Sequence, residues 1–243
     1  MRKICVSDPH IVVLTEMVQN VSHAVMAQRY EKLDSLDDFP TPPWATRALI
    51  EFVISPDDLD VLSCCEPACG VGHMAKVLTE YFGEVHATDI FPYGFGGELD
   101  FLSSDTEDKF DWIITNPPFR LAEEFVLKSI GECRKGVAIL ARTVFLESIG
   151  RYHRLFNKYP PALVAQFSER VPMVKGRLDP KVTTATGYAW IVWKKRFKGN
   201  TRLVWIPPCR RSLERPRDYE APMRKIRKNI LTKIEPIGQP SSL

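Results

Sequence analysis

The sequence lacks the features of membrane and secreted proteins. It contains no run of eighteen apolar residues, so no segment is predicted to span a bilayer. Asp8 and His10 interrupt the N-terminal stretch, which therefore makes a poor signal peptide. No Cys-x-x-Cys pair occurs among the six cysteines, and Cys64, Cys65 and Cys69 have no partners at zinc-ligand spacing. We therefore expect a cytoplasmic protein with reduced, mostly buried thiols and no metal site.

Charge is unevenly distributed along the chain, although the formal net charge is only +3. Residues 1–150 hold 12 Lys and Arg against 24 Asp and Glu, a net charge of −12. Residues 151–243 hold 21 Lys and Arg against 6 Asp and Glu, a net charge of +15. Many charge runs are solvated faces, but a C-terminal third this basic would repel itself unless a polyanion lay nearby. The asymmetry therefore predicts that the basic C-terminal third contacts a nucleic acid.

Length and composition favour one folded domain with two smaller appendages. A chain of 243 residues with 44% hydrophobic residues can bury one sizeable core. Residues 1–36 are predicted to form an N-terminal helical extension, whose role the pattern leaves open. Residues 37–206 are predicted to form the main domain, and residues 207–243 a basic C-terminal extension. No internal repeat is present, so a repeat architecture is not expected.

One part of the chain has a strand–turn–helix–strand pattern that ends on a carboxylate. Residues 60–65 predict a buried strand, residues 66–72 a glycine-bearing turn, and residues 74–82 a helix. Residues 84–90 predict a second strand, with Asp89 near its end. This arrangement is typical of nucleoside-bearing cofactor sites, because a carboxylate about twenty residues after the turn can accept both ribose hydroxyls.

The turn carries Gly70 and Gly72 but has no third glycine at the dinucleotide spacing. That absence disfavours NAD and favours a ligand without a pyrophosphate. Glycines at these positions let the backbone approach a ligand closely. Asp89 follows Glu66 by 23 residues, which agrees with the spacing expected in such a unit. We therefore expect a cofactor that has a ribose but no pyrophosphate.

A rigid polar corner follows the next buried strand. Residues 110–114 predict that strand, and Asn116-Pro117-Pro118-Phe119 comes after Thr115. Two consecutive prolines cannot continue a central strand, so the chain leaves the sheet there in a stiff conformation. An amide and an aromatic ring would thereby be presented at the carboxyl end of a strand, where open α/β sheets bind ligands. A plain strand-terminating turn is the alternative interpretation.

The remaining periodicity completes an α/β pattern. Helical stripes run over residues 45–53, with Thr41 as a candidate cap, and over residues 121–130. Asp100, within a short predicted strand at 98–102, is either a solvated loop acid or an acceptor for an adenine amino group. Further strands are predicted at residues 136–141, 163–167, 187–193 and, as an edge, 201–206.

Three stretches of the chain match the motifs of a known enzyme family. They are Phe39-Pro40-Thr41-Pro42, Glu66-Pro67-Ala68-Cys69-Gly70-Val71-Gly72 and Asn116-Pro117-Pro118-Phe119. In this order they resemble the S-adenosylmethionine-dependent DNA adenine-N6 methyltransferases, and the chain is similar to compact phage or prophage types of that enzyme. The resemblance covers about residues 37–145. It implies a Rossmann-like class I methyltransferase fold, with a mostly parallel seven-stranded sheet flanked by helices.

The resemblance also implies that S-adenosylmethionine is the cofactor and that nine residues form its site. Those that would border the methionine moiety or shape the turn are Phe39, Thr41, Glu66, Ala68 and Gly70. Those that would hold the nucleoside are Asp89 at the ribose, Ile90 against adenine, Asp100 at the adenine amino group and Phe101 on the ring.

The residues that the resemblance implies for catalysis are Asn116, Pro117, Pro118 and Phe119. An exocyclic amine is a poor nucleophile, because its lone pair is delocalised into the ring. The Asn116 side-chain oxygen and the Pro117 carbonyl would accept its two N–H groups and favour a pyramidal nitrogen, so catalysis would be mainly positioning. Phe119 would stack on a base flipped out of the duplex. Phe145 is a weaker candidate for a second aromatic wall, and a core position is the simpler interpretation.

Other functions remain open at this point. Cytosine N4, an RNA base and a protein glutamine side chain are also planar amines, and related enzymes with an Asn-Pro-Pro corner serve several of them. A non-catalytic nucleic-acid-binding protein with the same fold is a further alternative, although Gly70, Asp89 and Asn116 are all intact. The pattern does not determine the recognition sequence or the oligomeric state, nor whether a restriction partner exists.

Overall fold

The computed structural model describes residues 37–105 and 109–219 of the chain. The predicted N-terminal helical extension, residues 1–36, lies outside the described residues. Residues 220–243, most of the predicted basic extension, lie outside them as well.

One mixed sheet organises the described residues. Its strands are β1 Ser63–Glu66, β2 Glu84–Asp89, β3 Gly97–Glu98, β4 Trp112–Thr115, β5 Gly136–Arg142, β6 Leu163–Phe167, β7 Tyr188–Lys194 and β8 Arg202–Ile206. They lie in the order β3-β2-β1-β4-β5-β7-β6-β8, and all neighbours are parallel except β7, which is antiparallel to both β5 and β6. The predicted class, α/β with a mostly parallel sheet, is confirmed. The sheet has eight strands rather than seven, because β8 pairs with β6 along its whole length.

Short helices cover the sheet. They are α1 Pro43–Leu49, α2 His73–Leu78, α3 Ala122–Glu132, α4 Ile149–Arg151 and α5 Arg210–Leu213. Wider π-helical turns continue α1 through Ile50–Ile54 and α4 through Tyr152–Phe156, and 3₁₀ turns occupy Leu59–Val61, Thr143–Leu146 and Pro216–Tyr219. The central strands β4 and β5 are buried over nearly all of their residues, as expected for parallel strands covered on both faces.

Thr41 does not cap α1, contrary to the prediction. The residue that precedes the helix is Pro42, and the Thr41 hydroxyl is buried without a hydrogen-bond partner. Proline at the first helical position supplies the start instead, since its fixed φ suits a helix and its missing N–H would have no intrahelical partner.

The predicted strand at 98–102 is wrong in extent. Pairing with β2 ends at Glu98, because the Asp100 carboxylate accepts hydrogen bonds from the Leu102 N–H and the Ser103 hydroxyl. These local bonds turn the chain out of the sheet, as short polar side chains commonly do. The helix predicted at 74–82 likewise ends early, at Leu78.

An apolar core lies on each face of the sheet. Alternation along β7 sends Trp190 into one core and Ile191 into the other, and both side chains are fully buried. The Trp190 indole Nε1–H donates to the Ala45 carbonyl at 2.9 Å, which ties α1 to the sheet. The segment just before α1 is thereby held beside the carboxyl ends of the strands.

A buried arginine fastens the start of the predicted C-terminal extension to the domain. Arg47, 1% exposed, donates to both carboxylate oxygens of Glu80 and both of Asp218, at 2.8–3.0 Å. It also donates to the Leu213 carbonyl at 2.9 Å. Cys209 lies in the core. Residues 207–219 therefore pack against the main domain.

The five cysteines that the structure describes are free and buried, which confirms the expectation for those thiols. Burial is the main cause that raises the pKa of Cys65 and of Cys69 to about 12. Within residues 37–105 and 109–219, no three His, Cys, Asp or Glu side chains are grouped to hold a metal ion. Helices in the same ranges are all too short or too polar to cross a lipid bilayer.

Candidate active site

The carboxyl ends of β1, β2 and β4 open onto one cleft. Because β1 lies between β2 and β4 in the parallel sheet, the loops after the three strands meet at the same edge. The volume of the cleft, counted together with its open mouth, is about 900 Å³. The predicted site residues that line it are Phe39, Thr41, Glu66, Ala68, Gly70, Asp89, Ile90, Asp100, Phe101, Asn116 and Pro118. Pro117 and Phe119 are not among its lining residues.

The glycine turn is shaped by left-handed backbone. Gly70 has φ +52° and Gly72 has φ +83°, values that favour glycine. A Cβ on Gly72 would lie 2.4 Å from the Phe95 ring, so no larger residue fits without movement. The Cys69 N–H donates to the Thr88 carbonyl at 2.9 Å, which holds the turn against the end of β2.

Asp89 joins the turn to the loop after β2. One carboxylate oxygen accepts from the Gly70 N–H at 2.9 Å, and the other accepts from the Phe91 N–H at 3.0 Å. A carboxylate has about four acceptor positions, so each oxygen can accept a further hydrogen bond from the cleft. The carboxylate is therefore fixed in orientation and can still bind a pair of hydroxyls.

Glu66 is a buried acid at the floor of the cleft. It is 2% exposed, and its Oε2 has no hydrogen-bond partner within residues 37–105 and 109–219. Burial raises its pKa well above the usual range and the Asp89 charge raises it further, although the Ala75 N–H bond opposes both effects. A cationic group in the cleft would favour the ionised form and give Oε2 its missing partner.

Asp38, which the sequence analysis did not select, adds another carboxyl to the cleft. Its pKa is raised by burial and by the Asp89 charge, while Lys175 lowers it. Asp38, Glu66 and Asp89 all line the cleft, so its interior is suited to a positively charged ligand. The position of Asp38 directly before Phe39 is the only sequence signal that pointed to it.

The residues predicted to hold an adenine ring differ in their surroundings. Ile90 is 62% exposed, whereas Phe101 is 3% exposed and packs on Phe125 with ring centroids 5.2 Å apart. Both Asp100 oxygens accept hydrogen bonds from their own loop, and the Ser103 hydroxyl is the main cause that lowers the Asp100 pKa. Their roles toward adenine stay predictions.

Asn116 is held by a single hydrogen bond that fixes its amide orientation. Its Nδ2 donates to the Phe39 carbonyl at 2.8 Å, and its Oδ1 is buried without a partner among the residues that the structure describes. A second contact holds the same corner of the chain, since the Phe119 N–H donates to Asp37 Oδ2 at 2.6 Å. The segment before α1 thus clamps the Asn-Pro-Pro-Phe corner and leaves one acceptor, Asn116 Oδ1, unused.

The Phe119 ring is already covered in this structure. It lies 5.2 Å from the Phe39 ring and 6.4 Å from the Tyr188 ring, and the Arg142 guanidinium carbon is 3.9 Å from its centroid. Its role as a platform for a base therefore stays a prediction, and it requires that a neighbour move. The sequence reading missed Arg142, which is the last residue of β5 beside the β4 corner.

Phe145 is a core residue and does not form a second wall. It is 6% exposed and packs edge-on against Phe156, with ring centroids 6.0 Å apart. The Arg151 guanidinium covers it at 4.2 Å. The simpler interpretation of this phenylalanine is therefore confirmed.

Comparisons with known proteins agree with this geometry. Over 100 residues the chain is 31% identical to the type II methyltransferase M.TthHB8I of Thermus thermophilus, a match that covers 37% of this chain and 23% of that enzyme. The chain thus spans about a quarter of the length of that curated relative. No protein-family model matches the chain.

Solved structures share the fold at low sequence identity. A protein of Listeria monocytogenes assigned as a class I S-adenosylmethionine-dependent methyltransferase superimposes with TM-score 0.53 and 11% identity, over 76% of this chain and 69% of that one. A protein of Pyrococcus horikoshii assigned as an RNA methyltransferase gives TM-score 0.51 and 15% identity, over 71% and 96%. The chain therefore has the Rossmann-like fold that is found in class I methyltransferases.

Proposed function

We propose that this protein transfers a methyl group from S-adenosylmethionine to the exocyclic N6 amine of adenine in DNA. The single observation that carries the proposal is the orientation of Asn116. Its amide is fixed by the bond from Nδ2 to the Phe39 carbonyl, and its Oδ1 lies buried without a partner at the edge of the cleft. An acceptor held in this way suits an N–H group of a substrate amine.

The residues of the cleft fit the cofactor. Asp89 keeps free acceptor positions for two ribose hydroxyls, and Glu66 Oε2 lacks a partner that a methionine ammonium group can supply. The carboxyls around the cleft, those of Asp38, Glu66 and Asp89 among them, suit a ligand with a sulfonium and an ammonium charge. S-adenosylmethionine brings a methyl group that its sulfonium makes a good electrophile.

Asn116 and Pro117 would act on the substrate amine during transfer. Asn116 Oδ1 accepts one N–H and the Pro117 carbonyl accepts the other, so the nitrogen lone pair is freed from the ring and directed toward the methyl group. No strong base is needed, because the methylated nitrogen is acidic and loses its proton afterwards. The prolines keep this corner stiff, which preserves the direction of both acceptors.

Charge supports a nucleic acid as the substrate. Residues 151–243 carry a net charge of +15, which suits contacts with phosphates. A base within a duplex must flip out to reach Asn116, at a cost of a few kcal/mol. Stacking on Phe119 would return about 1–3 kcal/mol of that cost once its face is free.

Transfer of a radiolabelled methyl group to duplex DNA, RNA and bulk protein tests the proposal. Asn116→Ala should nearly abolish transfer to DNA while S-adenosylmethionine affinity in calorimetry stays close to wild type.

Asp89→Ala should weaken the affinity for S-adenosylmethionine at least about tenfold, because each charge-assisted hydrogen bond contributes about 1.5–3 kcal/mol. The exposed Asn157 gives the control variant Asn157→Ala, which should behave as wild type. DNA methylation by Asn116→Ala at the wild-type rate would refute the role of Asn116, and methylation of RNA or protein alone would refute DNA as the substrate.

A further inference from the structure

The Arg142 side chain occupies an unusual position above the catalytic corner. Its guanidinium carbon lies 3.9 Å from the Phe119 ring centroid and 5.4 Å from that of Phe39. At 3.9 Å the guanidinium group covers the ring of Phe119. A flat substrate ring and this guanidinium would therefore compete for the same surface.

The guanidinium is weakly held by polar contacts. Its Nε–H is buried without a hydrogen-bond partner in the described part of the chain, which is unfavourable for a buried donor. The Tyr188 hydroxyl is a polar neighbour: burial raises its pKa most, and the charge of Arg142 and a hydrogen bond with Arg142 both lower it. Within the described ranges no carboxylate forms an ion pair with Arg142. A ligand that offers an acceptor to this cation could draw it away from the ring.

Sheet register places Arg142 beyond the end of the β4–β5 pairing. Thr115, the last residue of β4, lies opposite Ile139 of β5, so Arg142 stands three residues farther along its own strand than the end of that pairing. That offset is about 10 Å along the strand direction from the level of Thr115. There its guanidinium lies over the ring of Phe119, on which the base of a flipped nucleotide would stack under the proposed function.

We propose that Arg142 is a positioning residue for the target nucleotide. It covers Phe119 in the free protein, leaves the ring when the base arrives, and then binds the phosphate beside the flipped nucleotide. A phosphate is the favoured acceptor, because it neutralises the unpaired charge and matches the planar donor fork of arginine. This inference rests on the proposed function, since a protein or free-amine substrate brings no such phosphate.

Salt dependence of DNA binding by Arg142 variants tests the inference. Loss of one phosphate contact should make the slope of log affinity against log salt shallower by about 0.9. Arg142→Met fills similar space without charge, so it should show this change and a KM for DNA raised at least about tenfold. Its kcat and S-adenosylmethionine affinity should stay near wild type. Arg142→Lys should keep the wild-type slope, because an ammonium group still binds a phosphate.

Arg134→Ala is the matched control, because exposed Arg134 precedes β5 at the opposite edge of the sheet. It should leave the salt slope unchanged. An unchanged slope for Arg142→Met in an enzyme that still methylates DNA would overturn the inference and leave the proposed function intact. Loss of thermal stability or cofactor affinity without a change in slope would also overturn it, since that result marks a purely structural role. A wild-type protein that methylates no DNA would instead refute the proposed function.

Discussion

At the scale of single residues, the cleft is built from polar atoms whose partners are incomplete. Asn116 Oδ1, Glu66 Oε2 and the Thr41 hydroxyl are all buried without a hydrogen-bond partner, and all three residues line the same cleft. Buried polar atoms in folded proteins are nearly always paired, so a cluster of exceptions marks a place where a ligand supplies the partners. The cluster therefore agrees with a binding site that is arranged before its ligands arrive.

Glu66 provides a test at this scale through its raised pKa. Because its folded-state pKa lies well above that of the unfolded chain, its contribution to stability is full at low pH and is lost as pH rises through the folded-state value. Glu66→Gln keeps the neutral shape and has no proton to lose. The variant should therefore become more stable relative to wild type as pH rises, by about 1.4 kcal/mol for each pH unit between the unfolded-state and folded-state pKa values of Glu66, and the difference should be constant above the folded-state value.

Urea unfolding of the two proteins at a series of pH values measures this difference. Glu124→Gln, at an exposed position, is the control and should show no such trend. S-adenosylmethionine should reduce the trend in wild type, because an ammonium group beside Glu66 favours the ionised carboxyl. A difference that does not change with pH would contradict the assignment of Glu66 as a buried neutral acid in the free protein.

At the scale of elements, two segments distant in sequence hold the domain together around the cleft. Residues 37–39 clamp the Asn-Pro-Pro-Phe corner through Asp37 and Phe39. Residues 213–218 are fastened to α1 by Arg47. Neither segment has a regular periodicity that would indicate which residues it contacts, since each is held by isolated hydrogen bonds.

The Arg47 contact predicts how truncated chains behave. A chain that ends after Pro208 loses Asp218 and the Leu213 carbonyl, and leaves the buried guanidinium with Glu80 as its remaining carboxylate partner among those the structure describes. It should be less stable than the full chain by about 3 kcal/mol, the lower part of the range for breaking a buried ion pair. A chain that ends after Tyr219 keeps the contact and should unfold at nearly the same urea concentration as the full chain. Equal stability of the two truncated chains would contradict this role of Arg47.

At the scale of the whole molecule, charge separates the two ends of the sequence. Residues 1–150 have a net charge of −12, and the cleft that they largely form is lined by carboxyls suited to a cationic cofactor. Residues 151–243 have a net charge of +15, suited to a polyanion. The division agrees with a protein that binds a cationic cofactor in one place and a nucleic acid in another.

Binding of duplex DNA should therefore weaken steeply as salt increases, with a log–log slope of about −0.9 for each phosphate contacted. The chain that ends after Tyr219 should show a shallower slope, because it lacks the basic residues that follow, and an unchanged affinity for S-adenosylmethionine. The full chain at several salt concentrations is the reference for both measurements. A slope near zero in the full chain would point to a protein or small molecule as the substrate.

The sequence alone determined the class of fold and most of the cleft. Alternating apolar strands, a glycine turn and Asp89 specify a cofactor-binding βαβ unit, because these patterns depend on local backbone geometry and on burial. Two adjacent prolines likewise determine where β4 ends. The residues chosen for the cofactor all line one cleft, since strand ends of a parallel sheet must meet at one edge.

Only the tertiary structure decided which side chains meet across the chain. Arg142 covers Phe119, Asp37 and Phe39 bind the Asn-Pro-Pro-Phe corner, and Arg47 holds residues 213–218. Each of these contacts joins positions separated by more than twenty residues. No local preference encodes such pairs. They follow from the order of the strands and from the direction of each side chain after folding. That Arg142 covers the Phe119 ring is therefore decided only by the placement of β5 beside β4.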